Sequence, residues 1–233
     1  MESRGATDMR LKRLGLVHTS AANVPLFEQL CRAKLSGVET FNIVDDSLIK
    51  DVMAGGGLTE KISRRVANQI AAAEAAGADF ILVTCSSIGP AVEAAASLAS
   101  VPVLRVDQPM ADRAVQTGSR IGIIATLPST LSPTADLIQR RAAIAKKEVT
   151  LTTRLCEGAF DALMSGDAAR HDAMVIGGLR ELAAKTDVIV LAQASMARVV
   201  DALAKPDQRV PILASPPIAL EHVAAILLAN HRR

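Results

Sequence analysis

The sequence predicts an α/β protein made of two pseudo-symmetric lobes, each a doubly wound parallel sheet, with a ligand site between them. Three observations lead there. Short β-branched runs alternate with long Ala-rich segments along all 233 residues. The runs are almost continuously apolar, as expected of parallel strands covered on both faces. The strand segments also recur at a nearly constant offset, which marks an internal repeat.

The candidate strands lie at 14–18, 38–44, 80–84, 103–106, 121–125, 149–155, 188–191 and 212–214. Helical stretches with readable ends fall between them. Thr59 can cap a helix that stops at Gly77, and Ser132-Pro133 places a cap before a proline at a first helical position. Pro90 and Pro216 can open helices in the same way, and Asp45-Asp46 can cap a helix starting near Leu48. Gly55-Gly56-Gly57 lacks the Gly-Lys-Ser/Thr ending of a phosphate loop and reads as a turn.

The repeat is visible residue by residue. Arg13-Leu14-Gly15-Leu16-Val17-His18-Thr19 aligns with Arg120-Ile121-Gly122-Ile123-Ile124-Ala125-Thr126, 107 residues later. Asp79-Phe80-Ile81-Leu82-Val83-Thr84-Cys85 aligns with Asp187-Val188-Ile189-Val190-Leu191-Ala192-Gln193 at an offset of 108, and Val101-Pro102-Val103-Leu104 with Val210-Pro211-Ile212-Leu213 at 109. The predicted lobes are residues 1–106 plus 215–233, and residues 107–214. Open parallel sheets bind ligands beyond the carboxyl ends of their strands, so equivalent loops would approach one ligand from both sides.

Composition excludes several classes of function. Lys+Arg 26 against Asp+Glu 24 leaves a net charge of +2, too balanced for a nucleic-acid binder. The absence of Trp and Tyr removes the platforms on which single-stranded bases stack. No apolar stretch approaches the ~20 residues of a membrane span, and the first residues resemble no secretory signal. Three widely spaced cysteines, Cys31, Cys85 and Cys156, form neither a disulfide framework nor a metal motif. The expectation is a cytoplasmic protein with free thiols and no nucleic-acid or membrane partner. A homo-oligomer is compatible with it.

The chemistry-bearing residues sit at the predicted strand ends. Cys85-Ser86-Ser87-Ile88-Gly89-Pro90 joins a strand to a helix, and the Ser86 and Ser87 N–H groups ahead of a helix N-terminus suit an anion. The same dipole end is expected to depress the Cys85 thiol pKa. A buried structural cysteine is the competing reading, but the strand-end position followed by two serines favours the reactive one. Thr19 and Thr126 end the first strand of each half and can offer hydroxyls to a ligand or cap the next turn. Gln193, with Ala194 and Ser195 after it, occupies the position equivalent to Cys85; it can orient a carboxylate but cannot exchange protons near neutrality. Together Thr19, Ser86, Ser87, Thr126, Ala194 and Ser195 predict a bound carboxylate or similar anion. His18 reads equally as a structural histidine and a general base, whereas His171 and His222 read as solvated or capping. Cys31 and Cys156 read as packing residues.

Several segments resemble the aspartate/glutamate/hydantoin racemase superfamily over nearly the whole chain. They are Leu16-Val17-His18-Thr19, Asn42-Ile43-Val44-Asp45-Asp46-Ser47-Leu48, Val83-Thr84-Cys85-Ser86-Ser87, Gly158-Ala159-Phe160-Asp161-Ala162-Leu163 and Val190-Leu191-Ala192-Gln193-Ala194-Ser195-Met196. The resemblance implies two α/β lobes, no cofactor, and an active site between the lobes. In it two cysteines face each other across a small carboxylate or hydantoin-like substrate, one removing the α-proton and the other protonating the opposite face. The first family cysteine matches Cys85, while Gln193 stands where the second should be. Related members use one thiol to protonate a decarboxylation carbanion, with the retained cysteine in the second half, and maleate isomerases use two. Three functions follow: a racemase or epimerase with Cys85 on one face and His18 or a Gln193-held water on the other; a one-thiol decarboxylase or isomerase; or a catalytically silent carboxylate-binding protein.

Overall fold

The computed structural model describes residues 12–203 and 207–229. In chain order the strands are β1 (Lys12–His18), β2 (Val38–Val44), β3 (Phe80–Val83), β4 (Val103–Arg105), β5 (Arg120–Ala125), β6 (Thr150–Leu155), β7 (Val188–Leu191) and β8 (Ile212–Ala214). The helices are α1 (Val24–Lys34), α2 (Ser47–Ala54), α3 (Glu60–Ala75), α4 (Gly89–Ala96), α5 (Gln108–Thr117), α6 (Pro128–Ile144), α7 (Ala159–Met164), α8 (Ala168–Ala183), α9 (Ala197–Ala202) and α10 (Ser215–Ala229). Among the described residues the strands form two four-stranded parallel sheets, β2-β1-β3-β4 and β6-β5-β7-β8. The orders are identical once the repeat is superposed, and every predicted strand is present.

Burial follows position in the sheet. β3 and β7 are fully buried, as are the central residues of β1 and β5, whereas the edge strands β2 and β6 keep partly exposed positions. Coverage on both faces thus holds for the central strands only. Each sheet has an apolar cluster on either side. Val17, Ile81 and Val83 pack under α3 and α4, while Leu14, Leu16 and Leu82 pack under α1 and α10. Ile121, Ile123 and Val188 pack under α5 and α6, while Ile124, Ile189 and Leu191 pack under α8 and α9.

The repeat extends to polar details. Asp79 accepts from the Arg13 N–H at 2.8 Å, and Asp187 accepts from the Arg120 N–H at 2.8 Å, so one carboxylate pins the start of each first strand. Gly15 and Gly122 are equivalent close approaches; a methyl group on either would lie 3.2 Å from its neighbours.

Most helix ends agree with the sequence. Thr59 accepts from the Ile62 N–H at the start of α3, and Gly77 just past its end has φ +86°, a conformation costly for residues with a Cβ. Asp46 occupies the cap position of α2, but Asp45 makes the bonds, accepting from the Ser47 N–H and hydroxyl. The start of α6 corrects the expectation at Ser132-Pro133. The helix begins at Pro128 after extended Leu127, and Pro133 lies inside it. Pro128 satisfies the first-turn preference equally well, and the earlier start brings Leu131 onto the second-lobe core.

The chain passes from the first sheet into α5 through Val106 and Asp107. It returns at α10, whose Ala219, Leu220, Val223 and Leu227 complete the apolar cluster that contains Leu14 and Phe27. Ile218 of the same helix packs with Met110 and Ile121 in the second lobe. No helix among the described residues is long and apolar enough to cross a membrane.

Candidate active site

The parallel pairing of β1 with β3 sets Thr19 beside Cys85, just beyond the carboxyl ends of the two strands. The Thr84 N–H donates to the Val17 carbonyl at 3.0 Å, continuing the ladder by one residue before Cys85. The chain then makes a single 3-10 turn, Ser86–Ile88, and runs directly into α4. The second lobe repeats each step. The Ala192 N–H donates to Ile124 at 3.0 Å, Gln193 follows, and a 3-10 turn of Ala194–Met196 leads into α9.

The side chains at these ends pair in the same way. Thr19 lies beside Cys85 and favours its thiolate. Gln193 Oε1 accepts from the Thr126 N–H at 2.6 Å and the Thr126 hydroxyl at 2.9 Å. Thr126 thus engages only the carbonyl half of the amide. Gln193 is 8% exposed and cannot titrate.

Burial pushes the Cys85 thiol above its ordinary pKa, although Thr19 and the Ser87 and Ile88 N–H groups pull the other way. This reverses the depressed value expected from the helix dipole. The donors are in place, but desolvation of the thiolate outweighs them. The residue keeps part of its surface accessible even though its sulfur is densely surrounded. Cys31 and Cys156 are buried, and burial raises both thiols, Cys31 to about 11.

α6 of the second lobe packs against the Ser86–Ile88 turn. The hydroxyls of Ser87 in that turn and of Ser129 and Thr134 on α6 are buried without a well-formed hydrogen bond. Ser129, Thr130 and Thr134 were not singled out from the sequence, because the helix was expected to start later. Thr126-Leu127-Pro128-Ser129-Thr130, a strand end followed by a proline, is the signal that could have found them.

Ala194 and Ser195 fall elsewhere. They line a cavity of about 770 Å³ walled by Asn23, Leu26, Arg198 and Pro217, and neither Cys85 nor Gln193 reaches it. Ala194 also packs against the Leu14–Phe27 cluster of the first lobe.

His18 is fully buried with both ring nitrogens engaged. Nε2 lies 2.9 Å from Asn42 Oδ1 and Nδ1 lies 2.9 Å from the Thr84 hydroxyl. Asn42 in turn donates to Glu28, so the network assigns a neutral imidazole with its proton on Nε2. Burial lowers the His18 pKa against the smaller effects of Asn42 and Glu28. His18 therefore belongs to the Cys85 lobe and has no nitrogen left to serve the opposite face. His171 corrects the expectation of a solvated or capping residue. It is fully buried, with Nδ1 2.7 Å from Asp172, which Arg198 holds from α9. His222 is exposed, as expected. No group of three or more His, Cys, Asp or Glu among the described residues could hold a metal ion.

Two four-stranded parallel sheets of matching strand order, each flanked by helices, define a two-lobed α/β architecture. The chain belongs to the Asp/Glu/Hydantoin racemase family, whose sequence profile matches residues 14–223. Its fold is similar to that of glutamate racemase from Bacillus anthracis, with a TM-score of 0.74 at 17% identity over 94% of this chain and 82% of that one. Allantoin racemase from Klebsiella pneumoniae gives 0.67 at 20% identity, covering 94% and 89%. Aspartate racemase from Picrophilus torridus gives 0.68 at 13%, covering 94% of both chains. No curated protein matches the chain by sequence.

Proposed function

We propose that the protein is a cofactor-independent isomerase of the racemase type, acting alpha to the carboxylate or carbonyl of a small amino-acid-like or hydantoin-like acid. Cys85 is the group that moves the proton on one face. The register that sets Thr19 beside Cys85, repeated where Thr126 donates to Gln193 at the equivalent strand end, carries this reading. An acid–base thiol needs donors that stabilise its anion as the proton leaves, and Thr19, Ser87 and Ile88 are such donors. Thr126, Ser86 and Ser87 are the candidate substrate contacts, while Ala194 and Ser195 line the separate cavity and stand outside them. The Gln193 NH2 group is suited to hold the substrate's carboxylate or a water on the face opposite Cys85.

The Gln193–Thr126 lock favours a second reading, in which proton transfer is one-sided and the enzyme is a one-thiol isomerase or decarboxylase. Residues 1–106 with 215–233 would form the thiol lobe, and 107–214 the amide lobe. Three free cysteines suit the reducing cytoplasm.

Incubation in D2O with glutamate, aspartate, allantoin and 5-substituted hydantoins tests both readings. Loss of the α-proton signal with formation of both enantiomers is expected for the first, and deuterium uptake without inversion for the second. Exchange should vanish in Cys85→Ala. Exchange that survives this substitution would remove the thiol from the mechanism.

A further inference from the structure

A buried ion pair lies beside the start of α4, directly after the Cys85 turn. Arg105 ends β4 and is 1% exposed. Its Nε and one terminal nitrogen donate to the two carboxylate oxygens of Asp107 at 2.7 and 2.8 Å, and its other terminal nitrogen donates to Glu93 at 2.8 Å. Asp107 is fully buried and marks the passage into the second lobe. Glu93 lies on α4, where Arg140 of α6 approaches it at 3.1 Å. One carboxylate thus joins a buried cation of the first lobe to a helix of the second.

The face of the guanidinium is equally committed. Gly89 opens α4 directly after the Ser86–Ile88 turn, and a methyl group on it would fall 2.2 Å from Arg105 Cζ. The backbone of the first turn of α4 therefore rests on the guanidinium plane. A buried ion pair adds little stability compared with apolar residues of the same size. Only a flat, forked cation can satisfy Asp107 and Glu93 together while offering a thin face to Gly89.

We propose that Arg105 is a positioning residue for the Cys85 turn. By supporting Gly89 and gripping Glu93, it fixes the N–H donors of Ser87 and Ile88 around the thiol and sets that turn against α6. The inference rests on Cys85 being a functional thiol, but its test does not depend on catalysis.

The experiment is iodoacetamide labelling from pH 6 to 10, read at each cysteine by peptide mapping, for the native chain, Arg105→Lys and Glu93→Gln. A lysine keeps the charge but cannot grip two carboxylates. Glu93 is partly exposed, so its neutral replacement leaves the buried Arg105–Asp107 pair intact. Loosening the turn opens the thiol, so Cys85 should label about fivefold or more faster in Arg105→Lys, with a shifted pH midpoint. Glu93→Gln should move it in the same direction, while Cys31 and Cys156 keep native rates. If Arg105→Lys does not fold, Glu93→Gln decides alone. A Cys85 profile within twofold of native, slower labelling, or a parallel rise at all three cysteines would overturn the proposal, the last because it reports general destabilisation. Absence of α-proton exchange in the native protein, alongside a shifted Cys85 profile in the variants, would remove the proposed reaction and leave the positioning role standing.

Discussion

Gln193→Cys places a second thiol where the repeat puts the counterpart of Cys85, and the structure sets what it loses and gains. Gln193 Oε1 now takes two bonds from Thr126, at 2.6 and 2.9 Å, in a site where Thr126 is 4% exposed. The substitution removes that acceptor and leaves a buried N–H without its partner, which costs about 1–3 kcal/mol. For a chain of this length the melting temperature should fall by about 2–12 °C. The introduced sulfur should recover part of this by accepting from the Thr126 hydroxyl, its neighbour in the β5–β7 register. Against that loss, a positioned acid–base group contributes about 10²–10⁴-fold in rate, or about 3–5 kcal/mol in the barrier. Racemisation should therefore rise in a slightly less stable protein. The assay is chiral chromatography of glutamate, aspartate and allantoin, with α-deuterium content measured in parallel. If the native protein already exchanges both faces at a rate the added thiol does not improve, another group supplies the second proton. Gln193 would then not be the lost catalytic position.

Three further outcomes are expected. At pH 8 Cys85 should be alkylated before Cys156 and Cys31 because it alone keeps accessible surface, although burial raises all three thiols; labelling of Cys31 first would contradict the packing described. Thr126→Val removes one of the two bonds to Gln193 and should lower unfolding stability by about 0.5–1.5 kcal/mol in urea, whereas an unchanged midpoint would mean that the hydroxyl bond contributes nothing. Hydrogen bonds from Arg120 hold the Asp187 carboxyl at about 2 against an ordinary 3.8. A depressed folded-state pKa stabilises above the unfolded value and loses that effect as pH falls through the folded one. Asp187→Asn should therefore be less stable than native at pH 7 and approach it near pH 2, and a gap that stays constant across this range would disprove the linkage.

The eight strands were legible because each central strand is a short β-branched run covered on both faces, and the repeat at 107–109 residues gave the matching of the two sheets. The Cys85–Gln193 correspondence was legible for the same reason. What escaped detection depended on distant contacts. Leu127-Pro128 and Ser132-Pro133 are equally good local starts for α6, and the earlier one brings Leu131 into the helix, where it packs against the core of the second lobe. The dipole behind Cys85 can be read locally, whereas its desolvation depends on packing around the thiol, to which residues far along the chain contribute. His171 looked like a surface residue until Asp172 and Arg198 closed over it. Arg105 and Asp107 look like ordinary surface charges, and no pattern announces a buried pair two residues apart.

The return of α10 to the first sheet has a consequence for synthesis on the ribosome. Leu14, Leu16, Phe27 and Cys31 form one wall of a core whose other wall is Ala219, Leu220, Val223 and Leu227. The first half to be translated is thus the last to be finished. Its apolar face must wait, uncovered or shielded by a chaperone, while the whole second sheet is made. The later half has its strands and most of its covering helices in one continuous stretch of chain, so it can condense as it emerges. Emergence of residues 215–229 then supplies the missing wall of the earlier half and, through Ile218, a contact to the later one.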